Sequence, residues 1–286
     1  MNFLSKKTNF GKLLFLLAFI SSLCIPTRSV ANENSACPTS GTKTKAQINT
    51  TFGGNQGACM VTPEKYELKI FELGLCETTS PIVGNAQTKT VNIEDNCVKT
   101  MESLNGVTVD LAGGSNVQLP AAIGRPPVGT YDYAYIVVGK SFGIKGSYKL
   151  SDVTNTYTSL SNGNLDASGD ASVAHTDNLS SFGDDPNLWA DGGDAEYGPQ
   201  SMGTGNVSAL LVNNSNERAA NALAVTRLLG VFSANSGNKV IIDDSSNGLQ
   251  VELKIKDAGY MLFFDNSGVP TLSLIHISEP TRLSGI

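Results

Sequence analysis

The densest set of side chains able to do chemistry lies in the thirteen residues Asp184-Asp-Pro-Asn-Leu-Trp-Ala-Asp-Gly-Gly-Asp-Ala-Glu196. Asp184, Asp185, Asn187, Asp191, Asp194 and Glu196 are hard oxygen donors, and the glycine pair among them lets a loop wrap a cation, so calcium is the ion they would hold. The spacing is not that of an EF-hand, because Trp189 takes the fifth position counted from Asp185 and no glycine follows it. The first reading is therefore a solvated acidic loop, with a calcium site as the alternative. Trp189 and Tyr197 offer rigid aromatic surface for recognition, or else pin the loop to the fold.

Other chemistries find less support. Triad-type nucleophilic catalysis needs a base beside the nucleophile, usually histidine. His175 is the only histidine before residue 272, and its Ser/Asn/Asp-rich surroundings predict an exposed loop position. Paired carboxylates could serve glycoside hydrolysis. Every acidic residue, however, falls in a loop or on the polar side of an alternating strand, and no pair stands out. The sequence thus predicts no catalytic residues, no enzyme activity and no cofactor beyond the calcium alternative.

Four cysteines, Cys37, Cys59, Cys76 and Cys97, follow an export signal, and an even count in an exported chain reads as two disulfides. Four cysteines allow three connectivities. Cys37 with Cys59 and Cys76 with Cys97 is favoured, because each closes a local loop of about 20 residues and contributes roughly 3 kcal/mol on the chain-entropy model. No Cys-x-x-Cys spacing supports zinc. The export signal is residues 1–31: Lys6, Lys7 and Lys12 precede the apolar run Leu13 to Ile20, and Ser29-Val30-Ala31 places cleavage after Ala31. That run is far short of the roughly 20 residues a bilayer-spanning helix needs. Leu23 before Cys24 argues against lipidation.

The elements that must position these residues are strands. Pro126 to Leu150 is the longest strand-favouring run. Tyr131, Tyr133, Tyr135 and Val137 fall on one face and Ala134, Ile136 and Val138 on the other, as in a strand covered on both sides. Phe142, Ile144, Tyr148 and Leu150 then alternate with polar residues, and Gly139-Lys140 between the two runs predicts a two-residue hairpin turn. Tyr66, Leu68 and Ile70 alternate within the first long strand, after Pro63. Val107 to Leu111 and Asn116 to Leu119 predict short strands around Gly113-Gly114. Val207 to Val212, Thr226 to Phe232, Lys239 to Ile242, Leu249 to Ile255 and Tyr260 to Phe264 complete the set, with a helical turn or two over 217–224. Residues 32–60 lack periodicity and predict an extended arm pinned by its disulfide. Residues 151–206 are poor in large apolar side chains and predict a long Gly/Ser/Asp-rich loop insertion, with Phe182, Leu188, Trp189 and Tyr197 as anchors.

Two resemblances follow from particular stretches. Val109-Asp110-Leu111, then Pro127-Val-Gly-Thr-Tyr131 and the long aromatic-rich strand after it, resemble secreted bacterial β-sandwich proteins of transthyretin-like or immunoglobulin-like build, many of them marine metagenomic. The resemblance spans about 61–150 and again 226–264, and it implies a fold without a mechanism. Leu272 to Arg282 resembles the conceptual translation of a sequencing adapter, which implies that residues 272–286 are an artefactual tail and that the natural chain continues differently after Thr271.

Together these observations predict an all-β protein: an antiparallel β-sandwich of about ten strands over residues 61–271. Removing Lys6, Lys7, Lys12, Arg28 and Arg282 from the 20 basic residues, and Glu279 from the 26 acidic ones, leaves 15 against 25, a net of −10 for residues 32–271. So acidic a chain lacks the Lys/Arg clusters that nucleic acid requires. The predicted role is a secreted or cell-surface structural or binding protein, periplasmic or extracellular, with no membrane span in its mature part. Its partner would be an extracellular protein or glycan, or another copy of itself. The rivals are a secreted hydrolase using loop carboxylates and a subunit of an extracellular fibre or virion decoration.

Overall fold

The structure is a computed structural model that describes residues 12–13, 36–52, 56–112, 119, 125–182, 194–201, 205–235, 239–246, 250–251, 255–256, 258–264 and 270–274. Its axis is a twelve-residue strand. The strands are β1 (Gln56–Val61), β2 (Lys65–Cys76), β3 (Cys97–Asp110), β4 (Gly129–Tyr131), β5 (Tyr133–Gly139), β6 (Ser141–Lys145), β7 (Ser147–Tyr148), β8 (Tyr157–Ser159) and β9 (Leu165–Asp166), followed by β10 (His175–Asn178), β11 (Glu196–Ser201), β12 (Gly205–Val212), β13 (Arg227–Ala234), β14 (Val240–Ile242), β15 (Gly259–Phe264) and β16 (Thr271–Leu274). Two-residue strands at Lys12–Leu13, Ile82–Val83, Thr90–Val91 and Gln250–Val251 bring the total among the described residues to twenty.

One eight-stranded antiparallel sheet runs β10–β6–β2–β5–β13–β12–β11, with β3 on the free side of β2. The expected all-β antiparallel fold is thus present, with small two- and three-stranded sheets beside one large sheet. The β4–β14 pair sets Tyr131, Val240 and Ile242 against Leu75 and Ala134 of the large sheet. The β1–β15–β16 sheet contributes Met261 and Leu272 to the main core. β5 is buried along its length on both faces, as its two apolar faces predict.

The turn expected at Gly139-Lys140 does not form. Ile70 pairs with Val138 and Cys76 with Tyr133, while Lys65 pairs with Lys145 and Glu67 with Gly143, so β5 and β6 both run antiparallel to β2, one after the other. The chain continues without reversing, because β2 is long enough to template both segments. At Lys140 the outer partner changes: its N–H donates to Thr226 O (3.1 Å), and its carbonyl accepts from Leu179 N–H (2.9 Å). A Cβ at Gly139 would lie 3.4 Å from the Phe71 ring, an ordinary van der Waals contact.

Two polar segments are also more structured than composition suggests. Residues 32–60 contain a helix, α1 (Lys45–Phe52), where an extended arm is expected. It is started by a capping box: Thr44 Oγ1 accepts from Gln47 N–H (3.1 Å) and Gln47 Oε1 accepts from Thr44 N–H (3.0 Å). Residues 151–206 supply β8 to β11, and β10 and β11 form the two ends of the large sheet's strand order. Main-chain pairing requires no large side chains, so a Ser/Asn/Gly-rich stretch can edge a sheet whose core lies elsewhere. Phe182 is buried, as an anchor should be, and so is Leu179.

The disulfides are Cys37–Cys59 and Cys76–Cys97, the pairing that local loop closure favours. The expectation that residues 272–286 lie outside the fold meets a strand at Thr271–Leu274. Leu272 is buried, and its N–H donates to Gly163 O (2.9 Å). Leu-Ser-Leu alternation suits the free edge of β15, which asks only for a backbone and one inward apolar side chain. Among the described residues no helix is long and apolar enough to cross a membrane.

Candidate functional site

Of the six acidic-loop ligands, Asp184, Asp185, Asn187 and Asp191 lie outside the described residues, as do Leu188 and Trp189. Asp194 and Glu196 stand at the start of β11. The Glu196 carboxylate is buried and already engaged. It accepts from the backbone N–H of Gln87 (3.0 Å) and of Lys89 (3.1 Å), pairs with the Lys89 ammonium (3.5 Å), and receives the Arg218 guanidinium on Oε1. These contacts tie the short hairpin over 82–91 to the end of the large sheet. Asp194 Oδ1 accepts from Glu196 N–H (2.7 Å), and burial raises its pKa. To bind a cation, Glu196 would have to leave four partners. Tyr197 packs against Phe182 with ring centroids 5.9 Å apart, the pinning role rather than a free contact surface.

His175 is not the exposed loop residue that its neighbours in sequence suggest. It opens β10 with its side chain buried, and burial lowers its pKa against the opposing pull of Asp177. Ser141 could look like its nucleophile, because Gly139-Lys-Ser-Phe-Gly143 matches the G-x-S-x-G pattern. That pattern needs a strand-to-helix elbow, whereas Ser141 begins the extended strand β6. Ser141 is opposite Asn178 and donates to its Oδ1 (2.6 Å), while His175 is opposite Ile144, an odd number of residues away and so on the other face. The two side chains cannot meet.

The site with organised chemistry was not singled out by sequence. It is built on the face of the large sheet that carries Glu72, Gly74 and Cys76. Register slips at Phe71, between Ile70 and Glu72, so the apolar face carried by Leu68 and Ile70 is taken up by Leu73 and Leu75. Glu72 therefore turns to the face opposite that apolar row. Glu72 stands opposite Val137 of β5; two residues on, Gly74 pairs with Tyr135, and a Cβ on Gly74 would lie 2.3 Å from the Tyr135 ring. Only glycine lets the ring lie flat along the strand, and Tyr135 Oη thereby donates to Glu72 Oε1 at 2.5 Å.

Three more side chains converge. Lys99 of β3 sits with Nζ 3.7 Å from Glu72 Oε2, 3.3 Å from Glu102 and 3.6 Å from Glu94. Asn216, in the turn after β12, donates through Nδ2 to the same Glu72 Oε2 (3.4 Å) and accepts through Oδ1 from Arg227 Nη1 (3.1 Å). Arginine has no acceptor, which fixes the orientation of the amide. Asn216 has φ of 58°, a left-handed conformation that asparagine tolerates. The Arg227 guanidinium stacks on Phe71, 4.2 Å from the ring centroid. Burial raises the Glu72 pKa, against the Tyr135 hydrogen bond and the Lys99 charge. Burial, reinforced by Glu72, holds the Tyr135 phenol firmly protonated and hence a donor.

Two signals could have pointed here: the phase slip in Ile70-Phe-Glu-Leu-Gly-Leu75, and a glycine two residues beyond the displaced glutamate. Lys99, Asn216 and Arg227 come from distant parts of the chain, and no local pattern joins them. Among the described residues, no group of three or more His, Cys, Asp or Glu is arranged to hold a metal. No family model, curated protein or solved structure matches this chain.

Proposed function

We propose that the chain is an exported, non-catalytic structural or binding protein that works outside the cytoplasm on an extracellular protein or glycan, or on further copies of itself. The observation that carries this reading is the use made of the buried carboxylates. Glu72 and Glu196 are both held by donors from the fold itself, and in each case they join segments more than a hundred residues apart. Each thereby holds distant strands together. The two disulfides fit an oxidising compartment and serve the same end. The purified chain should show no turnover on ester, peptide and glycoside panels. Activity that disappears on a single Asp→Asn change within 184–196 would overturn this reading in favour of a hydrolase.

A further inference from the structure

The Glu72 site contains every part of an acyl-transfer reaction, with both reactants belonging to the chain. A primary amine, Lys99 Nζ, and a carboxamide, Asn216, meet the same carboxylate oxygen at 3.7 and 3.4 Å. The amide carbonyl faces a guanidinium at 3.1 Å, where charge would develop on Oδ1 during attack. The amide nitrogen, which would leave, faces the carboxyl that could protonate it. Tyr135 holds the other carboxyl oxygen and keeps Oε2 turned towards the reactants.

We propose that Lys99 and Asn216 join in an intramolecular isopeptide bond, made by the folded chain itself with Glu72 as general base and then general acid. Glu72 takes a proton from the Lys99 ammonium, and the freed Nζ attacks Asn216 Cγ. The tetrahedral oxyanion forms against Arg227. A further proton passes from the attacking nitrogen through Glu72 to Nδ2, the Cγ–Nδ2 bond breaks, and ammonia departs. One amide replaces another, with no oxidant, reductant or added reactant. The lysine stem is flexible enough to close the remaining gap, and the shared carboxylate pre-orients both partners. Burial opposes the charge on Lys99, while Glu72, Glu102 and Glu94 support it and leave its pKa raised. Burial of Glu72 raises its proton affinity and so lowers the cost of that transfer. The product ties β3, at one side of the sheet, to the turn between β12 and β13.

The test is the intact mass of the purified, fully reduced chain. It should fall below the encoded mass by one ammonia, and peptide mapping should find Lys99 and Asn216 in one branched peptide. Lys99→Arg, Asn216→Ala and Glu72→Gln should each return the encoded mass. A wild-type chain at its encoded mass overturns the proposal without reference to any variant. So does an ammonia loss that persists in Lys99→Arg, which would mark succinimide formation at some other asparagine.

Discussion

At the scale of single residues, the fit between Gly74 and Tyr135 decides whether the buried Glu72 is tolerated. Gly74→Ala would push a methyl group into the phenol ring, moving the one neutral donor on Glu72 Oε1. We expect a loss of about 2 kcal/mol, within the range for overpacking a core, read from denaturant melts. An unchanged midpoint would show that the ring has room to move. Glu196 is a second case. Removing its charge leaves Arg218 and Lys89 partly buried without their counter-ion, with side-chain exposures of 16 % and 14 %. Glu196→Gln should cost about 3 kcal/mol, the lower end for breaking a buried pair. The loss should be the same with calcium as with chelator, whereas a calcium-dependent difference would return Glu196 to the list of metal ligands.

At the scale of elements, two segments that read as unstructured turn out to be held by local chemistry. The first turn of α1 depends on Thr44 and Gln47 capping each other's backbone. Thr44→Ala should therefore cost about 1 kcal/mol. β16 raises a sharper question, because Leu272 opens the stretch that the sequence reads as an adapter translation and yet is buried. Leu272 is 2 % exposed, and its side chain lies over Gly146, where an added Cβ would be 3.1 Å away. Leu272→Ala should lower stability by about 2 kcal/mol, at the low end for a core leucine. Identical melts of Leu272→Ala and the parent chain would show that β15 has a free edge and that the strand pairing contributes nothing.

For the whole molecule, acid stability reflects opposing buried groups. His175 is kept neutral by burial, so below its ordinary pKa of 6.5 the unfolded chain binds more protons than the folded one. Stability should accordingly fall as pH drops through that value, and stop falling below the depressed folded pKa. Glu72 and Asp194 have the opposite sign. Burial raises both, so protonation stabilises the folded state as pH falls towards their ordinary values of 4.5 and 3.8. Of these three, only His175 lowers stability as pH falls below 6.5. Thermal melts across it should show the parent chain losing stability while His175→Leu stays level. A parallel decline in both chains would assign the acid sensitivity to other groups.

The sequence by itself determined the class of the fold and its covalent staples. Both depend on short-range information: the period-two alternation through Tyr66–Ile70 and Phe142–Leu150, and two pairs of cysteines each about 20 residues apart. The Thr44-to-Gln47 capping box is equally short-range, but the polar composition around it reads as an extended arm. What only the tertiary structure decided is partnership. Gly139-Lys140 signals a turn, yet the length of β2 keeps the chain extended through it. His175 looks exposed from its neighbours in sequence, yet it packs beside Gly163 and against the main chain of Leu272, which is far away in the chain. The Glu72 site depends most on the three-dimensional fold. A one-residue slip at Phe71 turns the carboxylate to the other face, and the sheet order then brings Lys99, Tyr135, Asn216 and Arg227 to it from four separate segments. Periodicity can place a side chain on a face, but which residues share that face across strands is set by register, and register is fixed only when the whole sheet is assembled.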